Sequence, residues 1–175
     1  RDGIYAIGEC AAYHNITYGL VAPGYDMAEV LASNMMGEEK DFTGADMSTK
    51  LKLIGVDVGS FGDHFGATAG CEAVTYSNLA KGIYKRLNIS ADGKNLLGGI
   101  LVGDTSDFTM LHQTVQLGMA IPPEPEQLMF PDLESGGSAM GADSLPDEAC
   151  ICSCNNVNKG SIASAVKEFG CTDPK

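Results

Sequence analysis

Three cysteines stand within five positions near the end of the sequence, at Cys150, Cys152 and Cys154. Thiolates are ligands that iron–sulfur clusters and zinc prefer, and a C-x-C pair brings two sulfurs close enough to hold one metal ion. A complete site of either kind normally needs four ligands. The spacing therefore predicts half of a metal site at Cys152 and Cys154. Iron–sulfur, zinc and free thiols all remain open as interpretations.

The residues that follow the cysteines predict a short helix. Asn158 is a residue type that accepts a hydrogen bond at a helix start, and Gly170 is one that ends helices. The stretch Lys159–Phe169 between them has its apolar residues on one face. The amino end of this helix would lie near the sulfurs, where its partial positive charge favours thiolates and offsets the negative charge of a cluster.

A second candidate site lies near the start of the sequence. Residues 3–8 predict a short buried strand that ends in Gly8 and is followed by Glu9. Glycine permits close backbone approach, and a carboxylate accepts hydrogen bonds from ribose or ribityl hydroxyls. A helix predicted from about Tyr25 to Met36 could stabilise an anionic ligand edge at its amino end. From these residues alone, an ordinary turn and an ordinary amphipathic helix are the preferred interpretations.

Charge and cysteine usage exclude several classes of function. The chain has 175 residues, is 44% hydrophobic and carries a formal net charge of −12. This acidity argues against binding to nucleic-acid phosphates or anionic lipids. No apolar run approaches the roughly 20 residues of a membrane span. Clustered cysteines favour a reducing compartment over a disulfide framework. We therefore expect a cytoplasmic protein that binds neither nucleic acid nor membrane.

No catalytic residue is predicted in this chain. The three histidines have no spacing typical of zinc ligands or of a catalytic dyad. Asp63 and His64 are adjacent, but a glycine-rich stretch with these residue types is usually a turn. The serines stand in no nucleophile-elbow pattern, and neither a dinucleotide fingerprint nor a phosphate-binding loop occurs.

Short β-forming runs separated by turn residues dominate the middle of the sequence. A glycine-rich stretch after the first run predicts a loop, and Asp92-Gly93 is a strong hairpin signal. Thr105 or Ser106 is expected to cap a helix that ends near Met119. Consecutive strands followed by a helix are typical of an α+β unit with an antiparallel sheet. The expected strands are Lys50–Val58, Glu72–Tyr76, Gly82–Ile89 and Leu96–Val102.

Several motifs in one order resemble the large subunit of assimilatory NAD(P)H nitrite reductase. They are Ile4–Ala11, Tyr18–Tyr25, Ser48–Val58, Ile83–Leu87, Leu101–Asp107 and Ile151–Val157. Together they span almost the whole chain. The resemblance implies a flavoprotein of the pyridine-nucleotide oxidoreductase class, in which NAD(P)H reduces FAD and electrons pass through iron–sulfur centres to sirohaem, where nitrite becomes ammonium.

The resemblance also implies an α+β architecture in four segments. Residues 1–40 would be the C-terminal part of an α/β FAD-binding lobe, and residues 41–121 an interface domain built on an antiparallel sheet with helices. Residues 122–148, rich in proline, glycine and acids, would be a linker with little order. Residues 149–175 would be the start of a small helical ferredoxin-like 2Fe–2S domain.

Site residues follow from the same resemblance. Cys152 and Cys154 would be the first two of four ligands to a 2Fe–2S cluster. Glu9 stands where the wider class commonly has Asp. The resemblance therefore implies that the carboxylate still accepts a hydrogen bond from an FAD hydroxyl, but through a side chain one methylene longer. The expected FAD-binding residues are Gly8, Glu9, Gly19, Leu20 and Val21. NAD(P)H, a 4Fe–4S cluster and sirohaem would bind only in the full-length protein.

Other parts of the family's pattern are not found in this sequence, notably the glycine-rich fingerprints, a second cysteine pair and the sirohaem domain. We therefore expect the chain alone to be inactive. The resemblance implies NAD(P)H and nitrite as substrates, and a small subunit or a second copy as partners. One alternative is another FAD-dependent reductase, of the rubredoxin or ferredoxin reductase type. The other is a non-enzymatic dimerisation module with a cysteine zinc site.

Overall fold

The computed structural model describes residues 3–130, 145–152 and 157–170, with the backbone alone for Cys152. The chain divides into two compact units, Arg1–Thr49 and Lys50–Lys175. The expected mixture of helices with an antiparallel sheet is confirmed. Within the described ranges, no helix is both long enough and apolar enough to cross a membrane.

The first unit is built around one helix, α1 (Val21–Met35). It is preceded by a 3₁₀ turn, Gly8–Cys10, and by a two-strand ribbon of β1 (Ala12–Tyr13) and β2 (Ile16–Thr17). The helix begins four residues before the predicted start at Tyr25. Pro23 is tolerated in the first turn because the amides there have no partner within the helix.

The predicted buried strand over residues 3–8 is wrong. Residues 3–7 are exposed and form no strand, and Gly8 opens the 3₁₀ turn instead. A strand is stable only when a neighbouring strand satisfies its backbone groups. In the described part of this unit, β1 and β2 pair with each other. The apolar run therefore established neither the burial nor the partner strand that residues 3–8 would have needed.

The second unit contains a five-strand sheet in the order β3-β4-β7-β6-β5. Its first two strands form a hairpin through Ile54 and Gly55, which both have positive φ, as tight hairpin turns require. This turn divides the single strand predicted over Lys50–Val58, and the second strand runs on into the predicted glycine loop. The strands are β3 (Thr49–Leu53), β4 (Val56–Gly62), β5 (Glu72–Asn78), β6 (Ile83–Ile89) and β7 (Leu96–Val102).

Helix α2 (Phe108–Gln116) packs on this sheet and closes its core. The ring of Phe108 meets Phe61 edge-on, with centroids 5.7 Å apart. The helix begins after Asp107 without a side-chain cap, so the predicted cap at Thr105 or Ser106 is wrong, and it ends before Met119. The remaining side chains of the buried core are Leu87, Ile89, Leu96, Leu101, Leu111, Ile121, Leu128 and Met129.

The start of the segment predicted to be a linker is ordered instead. Pro125–Met129 form a 3₁₀ turn, and Leu128 and Met129 are buried in the core. Proline content indicated the absence of regular strands and helices, but not the absence of packing. Residues 131–144 of the predicted linker lie outside the described part of the chain.

The cysteine segment pairs β8 (Cys150–Cys152) with β9 (Val157–Asn158) and continues into α3 (Lys159–Phe169). The Asn158 side chain accepts a hydrogen bond from the Ser161 amide at 2.8 Å, and Gly170 ends the helix with φ of 62°. The bounds and both end residues predicted for this helix are confirmed.

Candidate functional site

The predicted FAD-binding residues converge at the amino end of α1. Gly8 has φ of 75°, and its amide donates to the sulfur of Met27 in α1 at 3.1 Å. A Cβ added at Gly24, in the first turns of the helix, would lie 3.9 Å from the Gly8 Cα. The hydrogen bond and this close approach hold the Gly8–Cys10 turn beside the start of α1.

Glu9 and Gly19 lie against each other in this arrangement. A Cβ at Gly19 would lie 3.3 Å from Oε1 of Glu9, so the glycine leaves room for the carboxylate. Leu20 precedes the helix with an extended backbone, and Val21, its first residue, is exposed. All five residues thus come together, and a carboxylate stands beside a helix amino end that has no side-chain cap. Contact with FAD at these residues remains a prediction.

An apolar pocket of about 280 Å³ adjoins this cluster. Its wall includes Tyr5, Ile7, Tyr13, Met27 and Phe42. The sequence pattern placed Met27 on the helix, but it did not predict that Phe42 lines the same pocket. Phe42 follows the helix in the sequence and reaches the pocket because the chain turns back after α1. Phe42 meets the rings of Tyr13 and Tyr18 edge-on, at centroid distances of 5.2 and 5.4 Å.

The backbone of Cys152 lies in β8, opposite Val157 of β9. The side chain of Cys152, and the whole of Cys154, lie outside the described part of the chain. Cys150 is half-buried, and its carbonyl accepts a hydrogen bond from the Gln113 side chain of α2. In the described ranges, no three histidine, cysteine or acidic side chains lie close enough to hold a metal. Metal binding at Cys152 and Cys154 stays a prediction.

The sheet domain contains a buried lysine that the sequence analysis missed. Lys85 of β6 is 4% exposed, and its Nζ lies 2.9 Å from a carboxylate oxygen of both Asp104 and Asp107. It also donates to the carbonyl of Met129 at 3.4 Å. Alternation in β6 places Lys85 on the same face as Ile83, Leu87 and Ile89, but the sequence analysis drew no conclusion from that placement. The contacts join β6, the start of α2 and the 3₁₀ turn.

Charge pairing shifts the pKa values in this cluster. Burial alone would lower the pKa of Lys85, but hydrogen bonds from it to Asp107 and Asp104 outweigh burial and raise that pKa. The Ser106 hydroxyl, together with Lys85, lowers the pKa of Asp104 to about 2. Lys85 and Asp104 therefore remain charged at neutral pH, and together with Asp107 and Ser106 they form a hydrogen-bonded cluster that suits a structural role.

Asp63 closes the loop after β4. Its carboxylate accepts hydrogen bonds from the Thr68 hydroxyl and amide, both at 2.7 Å, and from the Ala67 amide at 2.9 Å. The Thr68 hydroxyl is the main reason that the pKa of Asp63 falls to about 2. The neighbouring His64 contacts the Gly62 carbonyl through Nδ1 at 3.1 Å. This geometry fits the expectation of a turn rather than an acid–base pair.

Comparison with known proteins adds to this geometry. The sequence profile of the rubredoxin NAD+ reductase C-terminal domain matches residues 48–119, which include β4 to β7 and α2. Among solved structures, an NAD-dependent persulfide reductase from A. fulgidus aligns with 97% of this chain and 32% of its own, with a TM-score of 0.54 and 18% identity. That likeness supports the fold alone.

Curated proteins give higher identities. The large subunit of nitrite reductase [NAD(P)H] from Klebsiella oxytoca is 55% identical over 93% of this chain. The large subunit of nitrite reductase (NADH) from Escherichia coli (strain K12) is 50% identical over 96% of it. The chain spans 17% and 20% of the length of these two relatives. The resemblance found in the sequence is therefore confirmed, and nothing in these comparisons favours the alternatives.

The profile match covers the sheet and α2, while the high identities extend on both sides of it, over the cluster around Glu9 and toward the cysteine segment. Residues 48–119 match the profile of the rubredoxin NAD+ reductase C-terminal domain, within a chain that is similar over nearly all its length to a segment of NAD(P)H nitrite reductase large subunits.

Proposed function

We propose that the chain is part of an NAD(P)H-dependent nitrite reductase, an enzyme of nitrate assimilation that reduces nitrite to ammonium. The observation that carries this proposal is the identity of 55% and 50% with two such large subunits, over 93% and 96% of the chain. In the longer protein, this segment contributes to FAD binding and to a 2Fe–2S site. NAD(P)H, a 4Fe–4S cluster and sirohaem bind in other parts of that protein.

The cluster at the start of α1 fits one edge of FAD. The Glu9 carboxylate, accommodated by Gly19, is an acceptor for a ribose or ribityl hydroxyl. The partial positive charge at the uncapped start of α1, beside Leu20 and Val21, would stabilise a ring system with partial negative charge. Bound FAD supplies the step from two-electron to one-electron transfer. The residues of this chain orient it.

The cysteine segment fits half of a cluster site. Strand β8 holds the backbone of Cys152 extended, and β9 and α3 follow within a few residues. Cys152 and Cys154 would provide two thiolates to a 2Fe–2S cluster, and two more ligands would come from the longer protein. Such a cluster supplies one-electron transfer, and the role of this chain is to fix two of its ligands.

Cellular setting and partners follow from the same proposal. A reductase that uses NAD(P)H and keeps its cysteines as thiolates belongs in the cytoplasm, where thiols stay reduced. Its substrates are NAD(P)H and nitrite. Its protein partners are a nitrite reductase small subunit and a second copy of the large subunit.

Flavin binding tests the proposal in the full-length protein that contains this segment. That protein is expected to carry flavin whose absorbance bleaches when NADH or NADPH is added without oxygen. The variant Glu9→Ala should retain less flavin after gel filtration, whereas Glu38→Ala, an exposed glutamate beyond α1, should retain as much as wild type. A full-length protein without flavin, or equal retention in both variants, would count against the assigned FAD site.

Metal content tests the cysteine assignment separately. Elemental analysis of the full-length protein is expected to show iron, and Cys152→Ser should remove the 2Fe–2S electron paramagnetic resonance signal while the flavin remains. Cys71→Ser is the control, because this cysteine lies in the loop before β5 and its thiol already contacts the Gly66 carbonyl at 3.4 Å. Zinc in place of iron would support the alternative of a zinc site.

A further inference from the structure

One buried polar side chain on α2 has no role in the sheet core. Gln113 is 3% exposed, and its Nε2 donates to the carbonyl of Cys150. Its Oε1 is buried and has no hydrogen-bond partner among the described residues. A buried and half-satisfied amide costs free energy that a leucine of similar volume would avoid.

The position of Gln113 around the helix axis explains what buries it. At about 100° per residue, Gln113 lies about 140° from Phe108, whereas Val115 lies within about 20° of it. Phe108 and Val115 face the sheet, because a Cβ at Gly59 or Gly62 would contact their side chains. Gln113 therefore faces away from the sheet, and the segment that contains Ala149 and Cys150 contacts that face. Ala149 itself is 0% exposed.

The contact lies close to the predicted metal ligand. The Cys150 carbonyl belongs to the peptide bond that precedes Ile151, and the next residue is Cys152. Behind this strand, the Lys159 amide donates to the Ala149 carbonyl at 2.9 Å and the Gly160 amide donates to the Asp147 carbonyl at 2.9 Å. The cysteine strand is thus held on one side by the start of α3 and on the other by Gln113.

We propose that Gln113 is a positioning residue that fixes the cysteine strand β8 to helix α2, and so sets the placement of a metal ligand relative to the reductase sheet. Helix α2 is then shared by the two regions: one face packs on the sheet and the other holds the cysteine strand. The link to a cluster rests on the proposed function, since it takes Cys152 as a ligand. The contact between α2 and β8 does not.

Amide hydrogen exchange on this chain tests the contact without any cofactor. Gln113→Leu keeps the volume and removes the donor, so the amides of Ala149 and Lys159 should exchange about five- to tenfold faster, the factor expected for losing one hydrogen bond. The amide of Gly103, which bonds to Asp57 in the sheet domain, should be unchanged. The matched control is the same substitution at Gln116, an exposed residue of the same helix.

Two outcomes would overturn the proposal. One is unchanged exchange at Ala149 and Lys159 in Gln113→Leu. The other is equal acceleration at Gly103, which would mean that the variant only destabilises the domain. Gln113→Glu distinguishes the loss of the hydrogen-bond donor from a change in side-chain size. It keeps the length and an acceptor oxygen but has no N–H at neutral pH. It should therefore accelerate exchange as Gln113→Leu does.

The full-length protein tests the link to the cluster. Gln113→Leu is expected to keep wild-type iron content and wild-type flavin reduction by NADH, but to shift the midpoint potential and the resonance line shape of the cluster. An unchanged potential and line shape would overturn the positioning role. If the wild-type full-length protein holds no 2Fe–2S cluster, the proposed function fails, while the exchange measurement still decides whether Gln113 fixes β8.

Discussion

Helices α2 and α3 are of similar length but have opposite surroundings. Four residues of α2 are buried, including Phe108 and Leu111, whereas no residue of α3 is buried among the described residues. The apolar face of α3 remains open, and Phe169 on it is 73% exposed. Packing against the sheet therefore stabilises α2, whereas α3 is determined by the residues at its own two ends, Asn158 and Gly170. The sheet domain has a complete core, and the cysteine segment depends on its neighbours.

The largest expected difference between the two regions concerns apolar truncations. Leu87 is 0% exposed in the centre of the sheet, so Leu87→Ala should lower the free energy of unfolding by about 2–5 kcal/mol. Val166 of α3 is 44% exposed, and Val166→Ala should change it by less than about 0.5 kcal/mol. Urea unfolding monitored by circular dichroism measures both. Equal effects would show that α3 is packed as tightly as the sheet.

Removal of the buried lysine should have the next largest effect. Lys85→Met keeps most of the side-chain volume but leaves Asp104 and Asp107 without their cation, so the sheet domain should lose about 3 kcal/mol. The double variant Lys85→Met with Asp107→Asn should recover part of that loss, since it also removes one uncompensated charge. If the double variant is no more stable than Lys85→Met, Lys85 stabilises the domain through packing alone.

The pH dependence of unfolding sharpens this test. Asp104 has its pKa lowered from 3.8 to about 2, so its contribution to stability is present above about pH 4 and is lost as the pH falls toward 2. Lys85 has a raised pKa, so its contribution is present below 10.5 and is lost only above its folded-state pKa. Urea midpoints should therefore be level between these limits. In Lys85→Met the pKa of Asp104 should be lowered less, so the acid decline should still begin near pH 4 but should be smaller and end at a higher pH.

The smallest expected effect lies in the cysteine segment. Asn158→Ala removes the side chain that accepts from the Ser161 amide, which should cost about 1 kcal/mol of local helix stability. Because α3 contributes no buried side chain, the urea midpoint of the sheet domain should not move. Hydrogen exchange in α3 should be several-fold faster. A shift in the global midpoint would contradict the separation between the two regions.

Local chemistry explains which predictions from sequence succeeded. The start and end of α3 depend on Asn158 and Gly170, which act on their own neighbours, and both were identified. The hairpin at Asp92-Gly93 joins β6 to β7 for the same reason. The strand predicted over residues 3–8 is wrong, because a strand forms only where another part of the chain can pair with it.

The missed residues have polar side chains whose partners are distant in sequence. Lys85 meets Asp107 22 positions away, and Gln113 meets Cys150 37 positions away. Residue type suggests solvent exposure for lysine and glutamine, and no short pattern indicates a distant partner. The convergence of Glu9 with Gly19 was expected only from the resemblance to a family, because spacing alone does not bring a turn to the start of a helix.

The closeness of α2 to the sheet has a consequence for chimeric proteins. A Cβ at Gly59 would lie 2.6 Å from Cδ2 of Phe108, which is too close for any residue larger than glycine. Glycine on the strand and phenylalanine on the helix are therefore a matched pair. An exchange that changes the residue at one of these two positions and leaves the other unchanged would create either a clash or a void. Exchanging both together preserves the fit.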